Sequence, residues 1–167
     1  MVPKIKRDKT PEQALASLMR LCAKTERSSG DAMRLMRRWG VSDTDARRVL
    51  DRLVRDRFID DRRYAEAFVR EKMNLSGWGT YKIGATLRSK GISQTIITQA
   101  MEQLDGADMH ERLIALLAKR LRTLRAKSPF DARNKLLRYA LSQGYDYATA
   151  RECVEAAVPA DSDEFEL

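Results

Sequence analysis

Few side chains in this sequence are of types that do covalent chemistry, and none are spaced to act together. Cys22 and Cys153 stand far apart, which implies neither a disulfide scaffold nor a zinc site. His110 is the single histidine, so metal-dependent and histidine-dependent catalysis have almost nothing to work with. Asp60 and Asp61 are adjacent carboxylates that could hold a metal or exchange protons. No third ligand stands near them, and an acid at a helix N-cap with another in the first turn is what the helix dipole favours. The glycines of Ser76-Gly77-Trp78-Gly79 lack the preceding strand and the Gly-Lys-Ser/Thr ending of a phosphate loop. Trp78 between them could stack on a base or enter a protein pocket; packing over a helical core is the simpler expectation. The chain is therefore expected to hold no catalytic residue, metal or cofactor, and not to be an enzyme.

What it has in surplus is cations, whose chemistry is the binding of anions. Lys and Arg number 32 against 24 Asp and Glu, a net charge of +8. Residues 1–55 carry 14 basic and 7 acidic side chains, residues 56–107 carry 8 and 7, and residues 108–158 carry 10 and 6, so the first and third stretches hold the excess. Arg34, Arg37 and Arg38 fall together; Arg48 and Arg52, with Arg55 beyond, recur at helical spacing. Lys82 and Arg88 follow, then Lys119, Arg122 and Arg125, then Arg133 and Lys135. From charge alone, these are the candidate contacts to phosphate or carboxylate on a partner. The tail from Pro159 to Leu167 has four acids and no base and reads as a solvated, disordered acidic end.

The elements that position these cations are read from a repeat. Gly40, Gly91 and Gly144 each follow an apolar-periodic stretch. After each comes an apolar residue (Val41, Ile92, Tyr145) and then a helix-capping side chain (Ser42, Ser93, Asp146). Apolar residues then recur at intervals of four and three: Ala46, Leu50 and Leu53; Ile97, Met101 and Leu104; Ala150, Val154 and Ala157. Each unit also has an upstream amphipathic stretch, over 12–24, 62–73 and 109–124. With only eight Gly and four Pro, long helices are favoured. The fold expected is all-α: three tandem three-helix repeats, about nine helices, in a curved, elongated array. The modules are read as 1–55 with a basic N-terminal extension, 56–107 and 108–158, followed by the tail 159–167. Asp105-Gly106-Ala107-Asp108 reads as a hinge between the second and third. No run approaches a membrane span, and a cytoplasmic monomer is expected.

The stretch FIDDRRYAEAFVREK, followed by GWGTYKIGATLRSKGIS, resembles the signature of the RecX family, regulators of the bacterial RecA recombinase. Its positions here are Ile59, Asp60, Asp61, Tyr64, Ala65, Phe68, Gly79, Ile83, Leu87, Lys90, Gly91 and Ile92. Arg57 stands where the family often has Gly. The resemblance implies a fold of three tandem three-helix units and a mostly structural role for the signature. It also implies a function: binding the RecA filament on single-stranded DNA across neighbouring protomers and reducing ATP hydrolysis, strand exchange and co-protease activity. The context would be homologous recombination, DNA repair and the SOS response. Weak nonspecific DNA binding is expected with it. The alternative is a helix-turn-helix protein acting directly on duplex DNA, with a capped third helix in the major groove. Gln94 and Gln99 are its weak candidates for base contacts.

Overall fold

The computed structural model describes residues 8–160. Among the described residues there are nine helices and no strand: α1 (Pro11–Lys24), α2 (Ser29–Arg38), α3 (Asp43–Arg55), α4 (Asp61–Ser76), α5 (Thr80–Ser89), α6 (Gln94–Met101), α7 (Gly106–Thr123), α8 (Pro129–Ser142) and α9 (Tyr147–Ala157). Residues 161–167, most of the acidic tail, lie outside the described residues, as do residues 1–7 of the basic N-terminal extension. None of the described helices is long and apolar enough to cross a membrane.

The helices begin where side chains satisfy their orphan N–H groups. Thr10 and Gln13 form a reciprocal capping box on α1. Ser28, Ser42, Ser128 and Asp146 accept from backbone N–H groups three residues on, each worth about 1 kcal/mol. Asp105 accepts from Ala107 N–H and makes Gly106 the first residue of α7. The stretch read as a hinge thus starts a helix.

The three anchor glycines end α2, α5 and α8 in the same way. Their φ values are +75°, +78° and +96° for Gly40, Gly91 and Gly144. The next residue turns back and donates to the carbonyl five residues earlier: Val41 to Met36 at 3.0 Å, Ile92 to Leu87 at 3.1 Å and Tyr145 to Ala140 at 3.2 Å. This is the helix-ending motif in which a left-handed residue lets the chain fold its next apolar side chain onto the core. α3 ends likewise, but on Arg57 at φ +60°, with Phe58 donating to Leu53 at 2.9 Å.

By packing the chain divides into two units. The first comprises residues up to Ala67 together with Leu87–Ala100; the second comprises Phe68–Thr86 together with residues from Met101 onward. In the first, α1 and α2 pack on α3. The core there is Leu18, Met36, Val49, Leu53 and Ile59 with Ala14, Ala32 and Ala46. In the second, α7, α8 and α9 pack on one another around Leu113, Leu117, Leu136, Tyr145, Cys153 and Val154. Each fully buried large apolar side chain contributes about 1.5–3 kcal/mol. α4 and α5 each give residues to both units, so packing does not follow the repeat.

Within each unit the start of one middle helix is laid on the glycine turn of the next repeat. In the first, Ser28 Oγ donates to the Lys90 carbonyl at 2.8 Å, and a Cβ on Gly30 would fall on that same carbonyl. In the second, Gly79 N–H donates to the Gln143 carbonyl at 2.7 Å and Tyr81 N–H to the Gly144 carbonyl at 3.0 Å. A Cβ on Gly79 would lie 2.5 Å from Gly144. The carbonyl before the first anchor glycine is occupied too: Lys9 N–H donates to Trp39 O at 2.8 Å, with Asp8 against Gly40. The backbone of Lys9 thus meets the first glycine turn as the backbone of Gly79 meets the third.

Candidate binding surface

The signature residues build the two joints. Asp60 caps α4, its carboxylate accepting from Arg63 N–H at 3.0 Å. Asp61 turns to the start of α2, accepting from Ser29 N–H at 2.8 Å and from the Ser29 hydroxyl. The two carboxylates thus serve different helix starts, and the described residues contain no cluster of three potential metal ligands. Ala65, Ile83, Leu87 and Ile92 are buried; Tyr64 and Phe68 are half-buried. Gly79 and Gly91 provide the close backbone approaches, and Lys90 contributes its carbonyl to Ser28 and its ammonium to Asp31 at 3.5 Å.

Trp78 is half-buried, edge-on to Phe68 with ring centroids 6.2 Å apart. Lys82 Nζ sits 4.3 Å from its ring and Lys72 Nζ 5.2 Å. Tyr145 OH donates to the Gly77 carbonyl beside it at 3.2 Å. Lys82 is thereby placed against Trp78 at the second joint.

The cations selected by charge divide into those the fold uses and those it leaves open. Arg34 bonds Asp31 at 2.6 Å and the Ser89 carbonyl at 2.8 Å, closing the first joint. Burial alone would raise the Asp31 pKa, but its hydrogen bond from Arg34, the charge of Lys90 and the Ser28 hydroxyl outweigh burial and hold the carboxyl below its ordinary value. Arg37 pairs with Asp43 at 3.2 Å, and Arg52 pairs with Asp56 one helical turn on. Arg88 bonds Gln94 Oε1 at 3.1 Å, and Arg133 donates to the Pro159 carbonyl at 3.3 Å. Lys135 meets Asp131 at 2.9 Å and the Arg125 carbonyl at 2.8 Å. Arg38, Arg48, Lys119, Arg122 and the Arg125 guanidinium make no ion pair among the described residues. Gln94, a weak candidate for base contacts, is already bonded to Arg88 and Thr98.

Two of these cations, Arg48 and Arg125, line grooves. Between α1 and α3 lies one of about 350 Å³, lined by Arg48, Arg52 and Arg55 but also by Glu12 and Asp45. Between the end of α7 and α8 lies another of about 510 Å³, with Arg120, Arg125, Lys135 and Arg138 around Tyr139 and Leu124 and no carboxylate in its lining. Charge counting selects Arg125 and Lys135 for this second groove but passes over Arg120, Arg138 and Tyr139. The signal for Arg138 and Tyr139 was the spacing of Lys135, Arg138, Tyr139 and Ser142, one stripe of a helix.

Comparison with known proteins agrees with this architecture. Residues 60–101 match the second three-helix domain of RecX and residues 107–154 the third. A protein of Mycobacterium leprae called regulatory protein RecX is 32% identical over 152 residues, 90% of this chain and 88% of that protein. A Clostridium botulinum protein of the same name is 31% identical over 137 residues, 81% of this chain but only 62% of the relative's length. Among solved structures, the crystal structure of RecX from Lactobacillus salivarius superposes with a TM-score of 0.73 at 21% identity, over 88% of this chain and 96% of that one. Another crystal structure, of regulatory protein RecX, gives 0.78 at 21% identity over 89% and 72%. The glycine turns, the signature built into the joints and these matches lead to one assignment: the chain belongs to the RecX family of regulatory proteins.

Proposed function

We propose that this chain is a negative modulator of the RecA recombinase that performs no chemistry of its own. It binds the recombinase filament on single-stranded DNA, across neighbouring protomers, and reduces ATP hydrolysis, strand exchange and co-protease activity. The observation that carries this reading is the family match over the second and third repeats. Cations left unpaired on both the first and third repeats support it.

The physics suits the task. A filament repeats its surface, so successive modules engage neighbouring protomers at high effective concentration, and several weak contacts add up to firm binding. Open guanidinium groups find acidic protein surface or the DNA backbone. If the bridged filament differs from the geometry needed for hydrolysis, binding shifts the population toward the inactive state by as much as the two affinities differ.

ATP hydrolysis by RecA on single-stranded DNA, measured with substoichiometric amounts of this protein, tests the reading. The rate should fall. An unchanged rate in the presence of folded protein overturns the proposal and leaves the fold untouched.

A further inference from the structure

Along the outer face of α8 runs an apolar strip of Phe130, Leu137 and Leu141, with Asn134 among them at the same helical spacing. Phe130 is 65% exposed and Leu141 40%, while Leu137 is half-buried. One exposed apolar side chain is ordinary; a row of them on one helix face is the pattern of a covered surface. By their helical positions Arg133 and Arg138 border the strip on its two sides. The groove between α7 and α8 lies on a different face of the helix, with Lys135, Tyr139 and Ser142.

The chain itself leads to this strip. α9 ends at Ala157, and Arg133 donates to the Pro159 carbonyl at 3.3 Å, so the polypeptide leaves the third repeat beside the strip's first turn. Ala160 follows, and then Asp-Ser-Asp-Glu-Phe-Glu-Leu over 161–167, outside the described residues. Alternate positions there read acid, acid, apolar, apolar: Asp161, Asp163, Phe165 and Leu167. We infer that residues 161–167 dock on this strip as an extended segment, with that set of side chains toward α8. In an extended chain alternate residues share one face and lie about 6.6 Å apart. Leu137 and Leu141, four residues apart on a helix, are offset by about 6 Å, so Phe165 meets Leu137 and Leu167 meets Leu141. Asp163 to Leu167 spans about 13 Å extended, and Arg133 to Leu141 about 12 Å along the helix, which sets the two aspartates beside Arg133. Glu164 and Glu166 face outward to water. A separate protein has to reach the strip from solution, whereas this segment is tethered at its edge and present at high effective concentration. Any partner for the outer face of α8 must first displace it. The inference stands apart from the filament reading.

The test is nuclear magnetic resonance of the full, isotope-labelled chain. Nuclear Overhauser contacts should join the Phe165 ring protons to the Leu137 methyls, and the Leu167 methyls to those of Leu141. The double variant Phe165→Ser/Leu167→Ser should remove these contacts and shift the Leu137 and Leu141 methyl resonances, leaving those of Leu18 in the first unit where they are. Amide exchange over 163–167, corrected for intrinsic rates, should quicken on the order of fivefold in that variant. Leu141→Ser should loosen the segment in the same way with its own sequence intact, and circular dichroism shows that each variant is folded. Asp161→Asn/Asp163→Asn should weaken the contacts; unaltered contacts there would overturn the register at Arg133. Random-coil resonances for Phe165 and Leu167 in the parent chain would overturn the docking itself. So would contacts from Phe165 to Tyr139, which would put the segment in the groove between α7 and α8. Contacts seen solely between a labelled and an unlabelled copy would also overturn it and make the strip a surface for a second chain.

Discussion

The two joints do the same job with different materials. At the first, a buried serine hydroxyl reaches the turn carbonyl, and an ion cluster of Asp31, Arg34 and Lys90 closes over it. At the second, two backbone N–H groups make the contact, and an aromatic with lysines packs beside it. What they share is a glycine where one backbone lies against another, Gly30 on Lys90 and Gly79 on Gly144. The difference teaches that the fold specifies a backbone approach, while the side chains securing it are free to change. A joint made of backbone groups should be insensitive to pH and salt; one made of ions should feel both.

The largest expected effect separates the joints by their glycines. Gly79→Ala places a Cβ 2.5 Å from Gly144 carbonyl atoms, where neither backbone can yield cheaply. Gly79 also directly precedes α5, a place where Ala is a poor residue. We expect a loss of about 3 kcal/mol in urea denaturation. Gly30→Ala meets the Lys90 carbonyl, but Gly30 lies inside α2, where Ala is favoured over Gly by roughly 1 kcal/mol. Its net loss should be nearer 2 kcal/mol. Equal losses would break the argument that helix propensity offsets part of the clash; no loss at either would mean that the two backbones are not in contact.

How much of this was legible in the sequence depended on the range of the signal. The glycine turns and their caps are local, set by residues within six positions of each other, and Gly40, Gly91 and Gly144 all take the positive φ that the pattern required. Arg57 also takes it, without being glycine, so the family's usual residue described the backbone better than this chain's own side chain does. The fate of the cations was not legible. Nothing near Arg34 in sequence announces that its guanidinium ends on Ser89, and Lys82 reads as a free cation until Trp78 is seen beneath it. Gly106, within the stretch read as a hinge, is the first residue of α7 with Asp105 as its cap, and a Cβ there would meet nothing within 4 Å. Residue types announce what a side chain can bind, and only the long-range packing tells whether it is already bound.

The second test uses acid. Asp31 has its folded pKa below the ordinary carboxylate value of about 3.9, so its contribution is complete above that pH and is lost as pH falls through the lower folded value. Asp31→Asn should cost about 1–2 kcal/mol at neutral pH by removing the charged bonds to Arg34 and Lys90. It should also flatten the fall in stability below pH 4, because one depressed carboxylate no longer takes up a proton on unfolding. Urea midpoints measured from neutral pH downward report both. An unaltered acid slope would show that the ion cluster contributes nothing to the first joint and that Ser28 alone secures it.

The smallest effect concerns the third occupant of the same kind of site. At the Gly40 turn Lys9 makes the contact: its N–H donates to the Trp39 carbonyl, and its ammonium lies 3.8 Å from the Trp39 ring and 2.9 Å from Ser17 Oγ. Lys9→Ala keeps the backbone bond and removes the two side-chain contacts, both partly exposed. We expect a loss of about 0.5–1 kcal/mol, together with faster hydrogen exchange at Lys9 than at Gly79, whose N–H makes the equivalent bond inside a packed joint. If the two amides exchange at the same rate, the N-terminal segment is as firmly seated as a whole neighbouring repeat, and the capping contact rests on the backbone bond rather than on the lysine. A large loss from Lys9→Ala would mean instead that the contact at the first glycine turn depends on one side chain, which neither joint between repeats does.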